Sequence, residues 1–145
     1  MPDKGSQQMT AANCRLRKHA DYQSVYAASR KQFGKQMSYF FRIRPQLGAD
    51  GLPLRIALPD APRVGLTVGK VMGKAVDRNR IKRRMREAVR SQIALLPAPV
   101  DVVLHPRRSV IDLAFPALEQ EIATVFRAIR KMYERQTLAA PRPAS

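Results

Sequence analysis

The sequence predicts an α+β domain, a small mixed sheet with packed helices in the order αβββαβα. Three observations lead there. Residues 35–44 (KQMSYFFRIR) alternate with the period of a strand, and Val100–Leu104 (VDVVL) is a β-branched run. Three other segments repeat their apolar residues with helical spacing. The strands precede and interrupt the helices, without the regular βαβα alternation of a doubly wound sheet.

Residues 1–13 are small and polar and read as a disordered tail, residues 14–137 as the single domain, and residues 138–145 (LAAPRPAS) as an Ala/Pro-rich tail. The first helix is read over Asp21–Ala28. Tyr22, Val25 and Tyr26 share one face there, and Asp21 serves as N-cap. In the next strand Met37, Tyr39, Phe41 and Ile43 point to one side and Ser38, Phe40 and Arg42 to the other. Pro45 to Pro62 is a Pro/Gly-punctuated connection in which Leu54–Leu58 can add a short strand. Arg63–Val68 is a further strand. A helix then starts at Val76 or Asp77 with Ile81, Met85, Ala88, Val89 and Leu96 as its apolar stripe, and Pro97 ends it. The last helix runs from Pro116, favourable at a first helical position, to Tyr133. Leu118, Ile122, Val125, Phe126, Ile129 and Tyr133 face the core.

The chain has 145 residues, 45% of them hydrophobic, enough for one real core. It carries 27 Lys and Arg against 11 Asp and Glu, a formal charge of +16, and its pI is about 11.2. Such a balance, clustered in one stretch, points to a polyanionic partner, and nucleic acid fits best. Cys14 is the single cysteine and is read as a small buried apolar residue. No apolar run spans a bilayer and the first residues lack a secretory h-region, so the expected location is the cytoplasm, with no membrane partner.

The charge concentrates on the helix after Gly73. Lys82, Arg83, Arg84, Arg86 and Arg90 lie on an arc opposite the apolar stripe, with Arg80 joining it and Arg78 at the start. Lys70 and Lys74 stand just before. Gly69 and Gly73 suit a turn with close backbone approach, and a helix N-terminus offers free N–H groups to phosphate. Arginine adds bidentate recognition of phosphate oxygens. Asn79 supplies a neutral amide between two arginines. A merely solvated face would mix in more acids than Glu87, because like charges at helical spacing repel. The glycine spacing does not match a Walker loop. His19 and His105 form no metal-ligand cluster and read as structural or phosphate-facing. Asp60, Asp101 and Asp112 give no pair suited to a two-metal site.

The segment GKAVDRNRIKRRMRE, Gly73 to Glu87, resembles the signature of the bacterial ribonuclease P protein family, often called the RNR motif. RLRKHADYQSVYAASRKQFGKQMSYFF resembles that family's opening helix and strand, and RVGLTVGK and DVVLHPRR resemble what flanks the motif. The resemblance spans Arg15 to Lys131. Lys74 departs from it, since the family commonly has Asn there, and the connection from Pro45 to Pro62 is long.

The resemblance implies a left-handed β-α-β crossover, against the general right-handed rule. It also implies an accessory subunit of an endoribonuclease that binds the catalytic RNA and the 5′ leader of precursor tRNA and assists removal of that leader. The RNA cuts the phosphodiester bond with its own Mg2+, and the protein binds no cofactor, metal or small-molecule substrate and has no catalytic residue. Lys70, Lys74, Arg78, Asn79, Arg80, Lys82, Arg83, Arg86 and Arg90 are the implied RNA-binding residues. For Tyr22, Tyr26 and Phe40 the spacing alone favours core packing; the resemblance turns Tyr22 and Phe40 toward the leader and leaves Tyr26 open between core and leader, included with them as an implied leader-binding residue. A ribosomal protein or RNA chaperone, and a DNA-binding regulator, are the competing readings.

Overall fold

The structure is a computed structural model and describes residues 14–45 and 61–138. Its elements are α1 (His19–Ala28), β1 (Gln32–Phe33), β2 (Met37–Ile43), β3 (Arg63–Leu66), α2 (Ala75–Gln92), β4 (Val100–Pro106) and α3 (Phe115–Leu138). Short 3-10 turns occupy Lys70–Met72, Ile93–Leu95 and Arg108–Ile111. The order is αβββαβα, as predicted, although one strand differs. The expected strand at Leu54–Leu58 lies outside the described residues. The third strand before α2 is instead β1, two residues long and paired through Gln32 with Tyr39 and Phe33 with Ser38. Two residues carry no period, so nothing local marks β1. The two expected tails also fall outside the described residues, apart from the last residue of α3.

The sheet order is β1-β2-β4-β3. β2 is antiparallel to β1 and β4, and β3 runs parallel to β4. Adjacent parallel strands need a long crossover, and α2 provides it. One face of the sheet carries Met37, Tyr39, Phe41, Val64, Val100, Val102 and Leu104. Against it pack Ile81, Met85, Ala88 and Val89 of α2 and Leu118, Ile122, Val125, Phe126 and Ile129 of α3, all within one buried cluster. Fully burying such side chains stabilises the fold by about 1.5–3 kcal/mol each. Cys14 joins this cluster, and burial pushes its thiol pKa up.

The opposite face is covered by α1. Strand pairing sorts its residues into rows: Arg42, Asp101 and Arg63; then Phe40, Val103 and Gly65; then Phe33, Ser38 and His105. Val25 and Val103 are fully buried there with Leu16, and Tyr22, Tyr26 and Phe40 pack partly buried around them.

Two expectations are corrected in detail, and a third is extended. Asp21 is not the N-cap of α1. The helix starts earlier, after Lys18, and Asp21 turns to Arg63 (3.3 Å). Asp101 alternates within an apolar strand, as read, and the structure adds what surrounds it. Its carboxylate is wholly buried and receives Arg44 at 2.6 Å, Arg63 at 2.8 Å and Arg42 at 3.3 Å. A buried charge is tolerated only when paired and hydrogen-bonded, and this one is held by residues far from it in sequence. Finally, α2 itself ends at Gln92, and a 3-10 turn carries the chain to Leu95 before Pro97.

Candidate nucleic-acid interface

α2 keeps Ile81, Met85, Ala88 and Val89 inward, at intervals of three and four residues, so its remaining positions face out. Asn79, Arg80, Arg83, Arg86 and Arg90 are exposed, and Lys82 is half-buried. Asn79, Arg80, Lys82, Arg83, Arg86 and Val76 line one shallow depression along the helix. Among the described residues α2 makes two ion pairs, Glu87 with Arg90 and Asp77 with Arg108 at 3.7 Å. None engages Arg80, Lys82, Arg83 or Arg86, so their charges meet solvent. Lys70 is exposed in its 3-10 turn, and Lys74 is exposed at the N-cap of α2.

Gly73 sits between these lysines with φ +121°, a conformation that side chains rarely adopt. A methyl group there would also come within 2.9 Å of the Arg108 guanidinium. Gly69 has no such need, since nothing lies near its missing side chain, and the close approach expected of it is not found. Arg78 is half-buried and turns back to donate from Nε to the Gly73 carbonyl (3.2 Å).

Arg84 does not belong to the open arc. It is half-buried, donates from Nε to the Val110 carbonyl (3.1 Å) and from Nη2 to the Leu113 carbonyl, and lies 6.0 Å from the Phe115 ring centroid. Its position on the helical wheel borders the apolar stripe, and the chain leading into α3 supplies acceptors there. Arg84 ties α2 to that segment.

Across α2 from the depression lies a cavity of about 170 Å³ lined by Arg15, Tyr22, Gly65, Lys82, Arg86 and Arg90 among others. Lys82 and Arg86 border both concavities, so the basic helix and the face of Tyr22 are continuous. Partial burial and the like charge of Arg15 hold the Arg86 pKa below the usual guanidinium value. The Tyr22 hydroxyl reaches the carbonyls of Leu66 (3.4 Å) and Leu16 (3.5 Å), and burial pushes its pKa up.

Tyr26 and Phe40 stack edge to face with centroids 4.9 Å apart. The Tyr26 hydroxyl meets His105 Nε2 at 3.1 Å and Thr67 Oγ1 at 3.2 Å. The His105 ring also lies 5.4 Å from Phe40, completing a three-ring cluster. Burial and the nearby charge of Lys31 lower the His105 pKa. Sequence reading left His105 as a structural or phosphate-facing residue at a strand end. Its place beside Tyr26 is set by contacts 79 residues apart, and only the alternation of β4, which puts it on the face of Val103, could have pointed to it. The exposed His19 stands apart, contacting Gln23 on α1. Among the described residues no three His, Cys, Asp or Glu side chains gather as metal ligands would.

The fold and site define a class of small α+β proteins in which a cationic crossover helix backs one side of a mixed sheet and aromatic rings occupy the other. The model of the Ribonuclease P family matches residues 10–130. The chain is 36% identical over 131 residues to the ribonuclease P protein component of Chromohalobacter salexigens, covering 87% of this chain and 89% of that protein. It is 33% identical over 112 residues to that of Symbiobacterium thermophilum, covering 77% and 87%. Among solved structures, the RNase P protein from Thermotoga maritima superposes with a TM-score of 0.63 at 23% identity, covering 79% of this chain and 96% of that one. A mutant RNase P protein of Staphylococcus aureus gives 0.66 at 22%, covering 89% and 98%. The structural likenesses carry the fold, and the sequence matches carry the family. The chain belongs to the ribonuclease P protein family, whose members are protein components of a tRNA-processing endoribonuclease that is a ribonucleoprotein.

Proposed function

We propose that this chain grips the catalytic RNA of ribonuclease P with the outer face of α2 and the 5′ leader of precursor tRNA with the face bearing Tyr22, Tyr26 and Phe40, leaving bond cleavage to the RNA. The observation that carries the reading is the set of Arg80, Lys82, Arg83 and Arg86, which is accessible and free of ion pairs among the described residues. Guanidinium groups without internal partners are suited to phosphate oxygens. Lys70, Lys74, Arg78, Asn79 and Arg90 extend that surface around the start and end of α2.

Rings stacked on a partly open sheet face suit single-stranded nucleotides, because every base offers a π face and stacking carries little sequence preference. A protein that accepts many leaders needs that tolerance. We assign the Mg2+ of the reaction to the RNA. No helix among the described residues is long and apolar enough to cross a membrane, and we place the protein in the cytoplasm with its RNA.

The test compares precursor and mature tRNA with the RNA subunit present. Addition of the protein should raise cleavage at low magnesium and favour precursor over mature tRNA. No gain in cleavage or in precursor affinity would end the proposal.

A further inference from the structure

The row Phe33, Ser38 and His105 extends the aromatic face to the edge of the sheet. Phe33 sits on β1, and its ring is 69% exposed. An exposed aromatic on an edge strand leaves apolar surface in water and invites wrong pairing, so its occupant is worth seeking. Strand register puts Phe33 beside Ser38, and Ser38 beside His105, on the sheet face that carries Phe40. Two inter-strand steps of about 4.8 Å therefore separate the Phe33 backbone from that of His105, and one step separates β1 from the strand of Phe40.

The surroundings hold several cations and one acid, Glu121, whose carboxylate accepts from the Gln36 amide (2.9 Å) on the α3 side of the hairpin. The Lys31 ammonium lies 5.8 Å from the Phe33 ring centroid. The same charge helps to lower the His105 pKa, after burial. Lys35 and Arg107 are exposed nearby, joined by an Arg107 to Lys35 carbonyl hydrogen bond of 3.0 Å. An aromatic ring flanked by cations matches the base and phosphate of a single strand better than it matches an apolar protein surface. Phe33 also borders a shallow groove between the β1–β2 hairpin and α3, which is where a protein partner would sit.

We infer that Phe33 is a further stacking platform for single-stranded RNA, extending the leader track from Tyr26, Phe40 and His105 across β2 to the sheet edge, with Lys31 and Lys35 at its phosphates. The inference rests on the leader reading above and adds a prediction of its own: the contact exists only for leaders long enough to reach β1.

The experiment uses the holoenzyme and precursor tRNAs with leaders of about two nucleotides, below the usual single-strand site size of about 4–16, and about eight, within it. In F33A the ratio of long-leader to short-leader affinity should fall about 5- to 10-fold, the scale of one lost stack. F33W should restore it. An unchanged ratio in F33A overturns the inference, as does an equal loss on both leaders or a change in the oligomeric state of the free protein, which would assign Phe33 to the groove. Tyr22→Ala and Phe40→Ala run beside it separate the two claims. If they lower precursor affinity relative to mature tRNA while F33A leaves the ratio intact, the extension alone falls. If they do not, the leader face itself falls, and the extension with it.

Discussion

Gly65 and Tyr22 occupy the same space. A methyl group on Gly65 would lie 2.5 Å from the Tyr22 hydroxyl oxygen and 2.6 Å from the ring carbon bearing it. The absent side chain in β3 is what lets α1 lay this ring on the sheet, at the border of the cavity it shares with Lys82 and Arg86.

Gly65→Ala should therefore displace Tyr22. Overpacking of this kind costs about 1–3 kcal/mol, and the variant should lose preference for precursor over mature tRNA, as Tyr22→Ala should. Adding Tyr22→Ala to Gly65→Ala should recover part of the lost stability, a non-additivity expected of groups in contact. Denaturant titration of the two single variants and the double checks it. Strict additivity would show that the ring and the glycine are independent.

Arg83 and Arg84 are neighbours with different roles. Arg83→Ala, like Arg80→Ala, should change stability by no more than about 0.5 kcal/mol while weakening RNA affinity. Arg84→Ala leaves two backbone carbonyls without their donor and should lower the melting temperature. Thermal melts beside RNA titrations of the same three proteins distinguish the two outcomes.

The salt dependence of RNA binding reads the α2 surface as a whole. If about six phosphates are neutralised, log K should fall against log salt with a slope of roughly −5. Arg80→Ala should make the slope shallower by about one. A slope near zero would rule out phosphate contacts as the source of affinity.

Asp101 couples the stability of the fold to pH. Burial alone would raise its pKa, but hydrogen bonds and charges from Arg63 and Arg44 outweigh that and hold it below the usual carboxylate value. A carboxyl depressed on folding contributes stability above its unfolded pKa of about 3.9, and this is lost as pH falls towards the folded value. Asp101→Asn removes the buried carboxylate that Arg42, Arg44 and Arg63 share and should cost about 3–5 kcal/mol at neutral pH. Urea unfolding at pH 7 and pH 3 measures both. Equal losses for the variant at the two pH values would contradict the assignment.

His105 titrates below the ordinary imidazole value because of burial first and Lys31 second. Lys31→Met should move its pKa up towards about 6.5, read by NMR of the ring protons. The sign for folding is that of any depressed base: its contribution is present above the unfolded pKa and lost as pH falls through the folded one.

Much of the architecture was legible because it is periodic. The stripes of α2 and α3 and the alternation of β2 each repeat a local spacing, and every residue they assigned to the core is buried or packed against it. What escaped is what periodicity does not encode. β1 is too short to repeat, Arg84 differs from Arg83 only through carbonyls contributed by residues 110 and 113, and Asp101 is claimed by arginines at 42, 44 and 63. The basic helix was visible as composition. The continuity of its surface with Tyr22 was not, because it depends on where β3 brings Gly65 and on the bridge that sets Arg15 beside Val64.

Arg44 donates to the Ala61 carbonyl (2.7 Å) and the Ala98 carbonyl (2.7 Å) while holding Asp101. One guanidinium thus fastens together the two borders of the interval from 46 to 60. Closure entropy grows only slowly with the length of chain enclosed, by about 0.6 kcal/mol per doubling. With Arg44 bound to Ala61 and Ala98 in this way, the end of β2, the approach to β3 and the approach to β4 are pinned to one side chain, so the register of all three strands is anchored at a single point.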